Sequence, residues 1–147
     1  MKYEKFINGL EKEHAMIEQA FKKLEPKIKN GNVSDIAYVL EILGQLKTIL
    51  INHLKDEDNL FYPDMRQKAV ELKQDALVPS LDVYIEDMKN VSKKVFDFFS
   101  RYDNENAISG DEKGFIKGMI EIRDSLVKRV MTEEKTLYYI YKAYHRI

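Results

Sequence analysis

The chain has no cysteine, only three prolines among 147 residues, and no apolar run near the length of about 18 residues needed to span a membrane. Without thiols, disulfides, thiolate metal sites, iron–sulfur clusters and cysteine nucleophiles are excluded. Any metal the chain binds must therefore be held by nitrogen and oxygen. Charge of one sign is also missing, since 24 Lys and Arg stand against 25 Asp and Glu. No global field draws the protein to nucleic acid or an anionic membrane, and no basic run carries interleaved aromatics. The N-terminal stretch MKYEKFINGLEKEH brings acids into its first turns and lacks the apolar core of a signal peptide. These absences predict a soluble, cytoplasmic protein with neither nucleic acid nor membrane as partner.

What is present is helical periodicity. A chain that is 44% hydrophobic and 33% charged suits one domain, residues 1–147, with a sizeable core. Four seams step by three and four residues. The first is Ile7, Leu10, His14, Ile17, Phe21, Leu24 and Ile28, with Pro26 expected to end the helix. After the turn residues Asn30, Gly31 and Asn32, with Ser34 or Asp35 as N-cap, the second runs Val39, Leu43, Leu46, Leu50, His53, Glu57 and Leu60 until Pro63 interrupts it. Asp64 to Ala76 reads as a connection with some helix. Pro79 suits the first turn of a third helix with the seam Leu81, Tyr84, Met88, Val91, Val95, Phe98 and Tyr102. Asp103 to Gly110 reads as a loop and Asp111 as a cap. The fourth seam is Phe115, Met119, Ile122, Leu126, Arg129, Glu133, Leu137 and Ile140, its start weakened by Gly114 and Gly118.

The third and fourth seams repeat the first and second, which predicts an all-α fold, an up-down four-helix bundle built from two repeated helix pairs. HLKDEDNLFYP at 53–63 is matched by RVMTEEKTLYY at 129–139, with Glu133 for Glu57, Leu137 for Leu60 or Phe61, and Arg129 in place of His53. His14 falls on Met88, and the acid before it is kept in kind, Glu13 against Asp87. The first half thus carries two seam histidines, and His53 has a carboxylate four residues on, so both project from one helix face. The second half has lost both histidines.

The Glu13–His14 pair, the 53–63 segment and the Glu133–Glu134 pair followed by Leu137–Tyr138–Tyr139 resemble the hemerythrin family, in particular its HHE cation-binding branch, over nearly the whole chain. The resemblance implies a four-helix bundle with a non-haem di-iron centre, used for oxygen carriage or sensing, iron handling, or defence under oxidative or nitrosative stress. It implies that one iron takes His14 and His53, and that Glu57 and Glu133 bridge toward a second. The second iron's histidines would fall at Met88 and Arg129, with a further one at Tyr84 in the oxygen-carrying branch, and none of these is histidine here.

Glu57 and Glu133 would then face a vacated cation position in a desolvated core, which Arg129, a permanent planar cation, is suited to fill. The expected site is mononuclear, His14, His53, Glu57 and Glu133 holding one ion rather than two; iron follows from the resemblance, while manganese or zinc suits the same donors. Two rescues of a second ion are open: the Tyr84 phenolate, or an acid such as Glu86, Asp87 or Glu134, of which Glu86 and Glu134 read as solvated. Met88 reads as packing, His145 as a surface residue, and the tyrosines 138, 139, 141 and 144 as core and interface. Arg129 turned to solvent, or core histidines without metal, are the bland alternatives.

Function is expected in the binding or sensing of oxygen or another small diatomic ligand, or in handling the metal itself. The alternatives are a metal-free helical interaction module that lost the site, and a di-iron peroxide or nitric oxide defence enzyme; whether any reaction is catalysed is left open.

Overall fold

The computed structural model describes residues 2–147, and its fold is all-α apart from one tiny hairpin. Seven α-helices follow in order: α1 (Lys2–Leu24), α2 (Ile36–Asp56), α3 (Tyr62–Glu71), α4 (Leu77–Arg101), α5 (Glu105–Ser109), α6 (Glu112–Thr132) and α7 (Tyr138–Tyr144). No described helix is long and apolar enough to cross a membrane.

Local chemistry explains the ends. Pro26 lies in a 3-10 turn that closes α1. Asn30 and Gly31, both at positive φ, turn a two-residue hairpin between β1 (Ile28–Lys29) and β2 (Asn32–Val33). Asp35 caps α2 by accepting from the Tyr38 backbone N–H, and Asp111 caps α6 by accepting from that of Gly114. A Cβ at Gly114 would lie 2.2 Å from Asp111 Oδ2, so a larger residue there would have to displace the capping carboxylate. Gly118 likewise admits the Phe98 ring, 3.0 Å from where its Cβ would stand. The stretch 103–110, expected as a loop, contains the short helix α5, capped by the Asn104 side chain on the Ala107 N–H.

Two corrections concern the carboxylate-bearing helices. Pro63 does not interrupt the second helix, and the connection expected with some helix at 64–76 is helical to Glu71 and turns after it. The backbone passes from α2 through a π-turn, Glu57–Phe61, directly into α3, whose first turn tolerates a proline without its N–H. The same device joins α6 to α7, the π-turn being Glu133–Leu137. In each, a backbone N–H five residues on returns to the glutamate carbonyl, Tyr62 to Glu57 and Tyr138 to Glu133. The extra residue per turn rotates the seam by one position. Leu60, expected inside, is therefore 56% exposed, while Phe61 is fully buried and pairs in register with Leu137.

The core has two apolar clusters with a polar layer between. One gathers the C-terminal half of α1, most of α2, the C-terminal half of α4 and the first part of α6; the other gathers Ile7 and Leu10 with α3, Leu81, Leu137 and α7. Between them lie the buried polar residues His14, His53, Glu57, Ser92, Arg129 and Glu133. Along α1 and α4 the second cluster precedes the polar layer, and along α2 and α6 it follows. α1 packs on α2, and α4 on α6.

Candidate metal centre

Each helix of the polar layer contributes from its seam. α1 supplies His14, α2 His53, the two π-turns Glu57 and Glu133, and α6 Arg129. His14, His53, Glu57 and Glu133 are all buried, and one donor atom from each lies within 4.8 Å of the others. His14 Nε2 is 3.1 Å from Glu133 Oε1, and His53 Nε2 is 3.1 Å from Glu57 Oε1.

The opposite edges of these groups are tied down. His14 Nδ1 is 2.9 Å from Glu134 Oε1 and His53 Nδ1 is 2.8 Å from Glu13 Oε1, so an outer carboxylate orients each ring and leaves Nε2 facing inward. Such outer carboxylates fix the ring and raise its basicity as a ligand. The far oxygens of the glutamates are held crosswise between the two halves. Tyr62 donates to Glu133 Oε2, and Tyr138 donates to Glu57 Oε2 at 2.9 Å. Glu57 Oε1, fully buried, is met by His53 Nε2 at 3.1 Å and Arg129 Nη2 at 3.3 Å, charge contacts without the alignment of a good hydrogen bond. A buried carboxylate oxygen held only by poorly aligned contacts keeps a lone pair that a cation can use, and Glu57 is one of the four residues whose donors lie within 4.8 Å of one another.

Arg129 is turned inward and is 2% exposed. Nη2 lies 3.0 Å from Asp58 Oδ1 and 3.3 Å from Glu57 Oε1, Nε lies 3.3 Å from Glu133 Oε2, and Nη1 donates to Ser92 Oγ and the Met88 carbonyl. The guanidinium stands over the Tyr62 ring, 5.4 Å from its centroid. Burial opposes its charge, yet Tyr62, Glu57, Glu133 and Asp58 together raise its pKa above the usual value, so it is a permanent cation.

Three carboxylates, Glu57, Asp58 and Glu133, face one guanidinium, which leaves two negative charges, the complement of a single divalent cation. The buried nitrogen and oxygen donors, with a Glu57 oxygen that no aligned hydrogen bond occupies, fit such an ion. Without it, protons take the role. Burial would lower His53, but the Glu57 carboxylate and then Glu13 raise it to about 9. His14 is also raised, Glu133 and Glu134 outweighing its burial. Glu133 is pushed up to about 7 by burial and the Glu57 charge, whereas His53 and Arg129 hold Glu57 low against its own burial. Burial and the two glutamates keep the Tyr138 phenol protonated, as a donor.

A pH dependence follows. His53 is raised on folding, so its contribution is fully present below the unfolded value near 6.5 and is lost as pH rises through about 9. Metal-free protein is expected to lose up to about 3 kcal/mol of unfolding free energy between those limits, read by urea unfolding across that range. Metal-loaded protein, its histidines already neutral, should lack that decline; a flat profile for the metal-free protein would show that Glu57 and Glu13 do not hold a proton on His53.

Of the residues singled out from sequence, His14, His53, Glu57, Glu133 and Arg129 come together. Met88 is half-buried against the second apolar cluster, as packing requires, and offers its carbonyl to Arg129. Tyr84 lies beside Tyr62, ring centroids 5.6 Å apart, its hydroxyl buried and without a partner. Glu134, expected to be solvated, is half-exposed yet holds His14. His145 is not a surface residue: its side chain is 4% exposed, 2.5 Å from Asp64 and stacked on Tyr3, because the end of α7 folds onto α3. Tyr62, Tyr138, Asp58 and Ser92 were not foreseen. A tyrosine five residues after each glutamate, in both repeats, was the available signal for the first two.

Beside this layer, a groove of about 490 Å³ between α1 and α6 is lined by Ile17, Phe21, Leu126 and Val130 and reaches His14 and Glu134. Among known proteins, the sequence family described as "Hemerythrin HHE cation binding domain" matches residues 5–141. No curated protein and no solved structure matches the chain.

Proposed function

Because the chain belongs to the hemerythrin HHE cation-binding family, we propose that it is a non-haem metal-binding protein that holds one ion, iron by family, through His14, His53, Glu57 and Glu133. Arg129 takes the place of a second ion. The observation that carries this reading is the Arg129 guanidinium on Glu57, Asp58 and Glu133 together, a fixed cation beside the two glutamates that the family would use to bridge to another metal. The alternating order of the two apolar clusters along α1, α2, α4 and α6 supports an up-down four-helix bundle forming one domain.

A single ion suits some tasks better than others. Reversible oxygen carriage of the family kind draws on two irons, whereas a lone ion serves for sensing a diatomic ligand or for handling the metal. The groove reaching His14, apolar along Ile17, Phe21, Leu126 and Val130 but also lined by charged residues, supports access by a small molecule.

Elemental analysis of untagged protein is expected to give about one ion per chain, lost in His53→Ala together with the stabilisation the ion brings, which is about 3 kcal/mol at a hundred times the dissociation constant. Two ions per chain would refute Arg129 as the stand-in cation. None, after anaerobic reloading with ferrous iron, would leave a metal-free helical module.

A further inference from the structure

We propose that Tyr138 is a fifth ligand, its phenol oxygen completing the coordination of the ion held by His14, His53, Glu57 and Glu133. The inference rests on the single-ion reading above and deepens it. The Tyr138 hydroxyl is 3.0 Å from His14 Nε2, 2.9 Å from Glu57 Oε2 and 3.5 Å from Glu133 Oε1, so it touches three of the four ligating residues. Donors bound about 2.1 Å from one ion stand about 3 Å apart when adjacent. The separations of 3.1 Å between His14 and Glu133 and between His53 and Glu57 have that length. The phenol oxygen, 3.0 Å from His14 Nε2 and 3.5 Å from Glu133 Oε1, would be placed to bind an ion that these two atoms held, while it meets Glu57 at its far oxygen.

The crossed repeat supports the assignment. Tyr62 is the counterpart of Tyr138, and it stands against the Arg129 cation as Tyr138 stands against the ion: its hydroxyl donates to the Glu133 oxygen that Arg129 also contacts, and its ring lies under the guanidinium. Each tyrosine thus faces the positive charge held by the other half. Tyr62 stays a hydrogen-bond donor because guanidinium has no open coordination position. At Tyr138 the ion replaces the proton: the O–H bond breaks, the oxygen keeps the electron pair and forms the bond to the metal, and the proton leaves to solvent, with no electron transferred. A trivalent ion such as ferric iron would balance the added phenolate charge, and, as the largest local field, would reverse the usual preference for the neutral phenol.

The alternative role is positioning, with Tyr138 only holding Glu57 in place. Protein loaded with one equivalent of ferric iron, supplied as the citrate, separates the two. With iron bound, a visible phenolate-to-iron charge-transfer band is expected, lost in Tyr138→Phe and kept in Tyr84→Phe and Tyr62→Phe. Iron bound without a visible band, or a band that survives Tyr138→Phe, overturns the proposal and leaves the single-ion reading standing; no bound iron sinks that reading instead. Should Tyr138→Phe not fold, a band kept in both other variants still assigns it to Tyr138, and a band lost in Tyr84→Phe overturns the assignment.

Discussion

Arg129→Met is expected to lower the unfolding free energy of the metal-free protein by about 3–5 kcal/mol, the cost of removing one partner from a buried ion pair. For a chain of this length, that corresponds to a melting temperature lower by roughly 10 °C. Methionine fills much of the same volume, so little of the loss comes from packing. It comes from Glu57, Glu133 and Asp58, which would be left with no cation but the histidines, and from Ser92 Oγ and the Met88 carbonyl, which lose their donor. Arg129→Lys keeps the charge without the planar fork and should fall between the two. Millimolar manganese or zinc should restore a larger share of stability to Arg129→Met than to the parent protein, because the emptied position faces the same carboxylates. A loss under about 1 kcal/mol would mean that burying the guanidinium costs nearly as much as its pairing returns.

The helices and their inward faces were legible because a core seam needs only apolar residues at steps of three and four; every seam position from Phe115 to Glu133 is buried as expected. The same rule failed at Leu60, where it counted α-helical steps through a π-turn. Both glutamates open such turns, and a π-turn leaves no mark in hydropathy, only a register slip that a second copy can expose. Aligning the segment after Glu57 with the segment after Glu133 puts Tyr62 on Tyr138, and that pairing, rather than tyrosine's tendency to line cores, was the sign of a polar task. Arg129 could be placed from sequence because an arginine on an otherwise apolar seam must find carboxylates or reach solvent. Asp58 and Ser92 could not, since both sit one position off their seams and meet the guanidinium and each other only through contacts between helices. The outer carboxylates were hidden for a similar reason. Glu13 serves His53 rather than its neighbour His14, and Glu134 serves His14 across the space between α1 and the π-turn, contacts that no spacing within one helix predicts.

Restoring histidine at the two altered positions, Met88→His with Arg129→His, is expected to raise the metal content from about one ion per chain to about two. A histidine at 129 stands four residues before Glu133, the spacing that His53 has to Glu57, and so shares a face with that carboxylate. At position 88, α4 already passes beside the guanidinium, the Met88 carbonyl being 3.2 Å from Arg129 Nη1. The new imidazoles would enter the space the arginine leaves, with Glu57, Glu133 and Asp58 as oxygen donors around it. Charge favours the exchange as well as geometry, for removing one fixed positive charge leaves the three carboxylates to attract a divalent ion in its stead. Arg129→His alone should bind the second ion more weakly, having one nitrogen ligand instead of two. Anaerobic loading with ferrous iron followed by elemental analysis reads the count, and unfolding with and without metal reads the linkage. A count that stays near one, with the stability loss of Arg129→Met, would show that the shape of the pocket around Tyr62 and Ser92, and not the arginine, excludes the second ion.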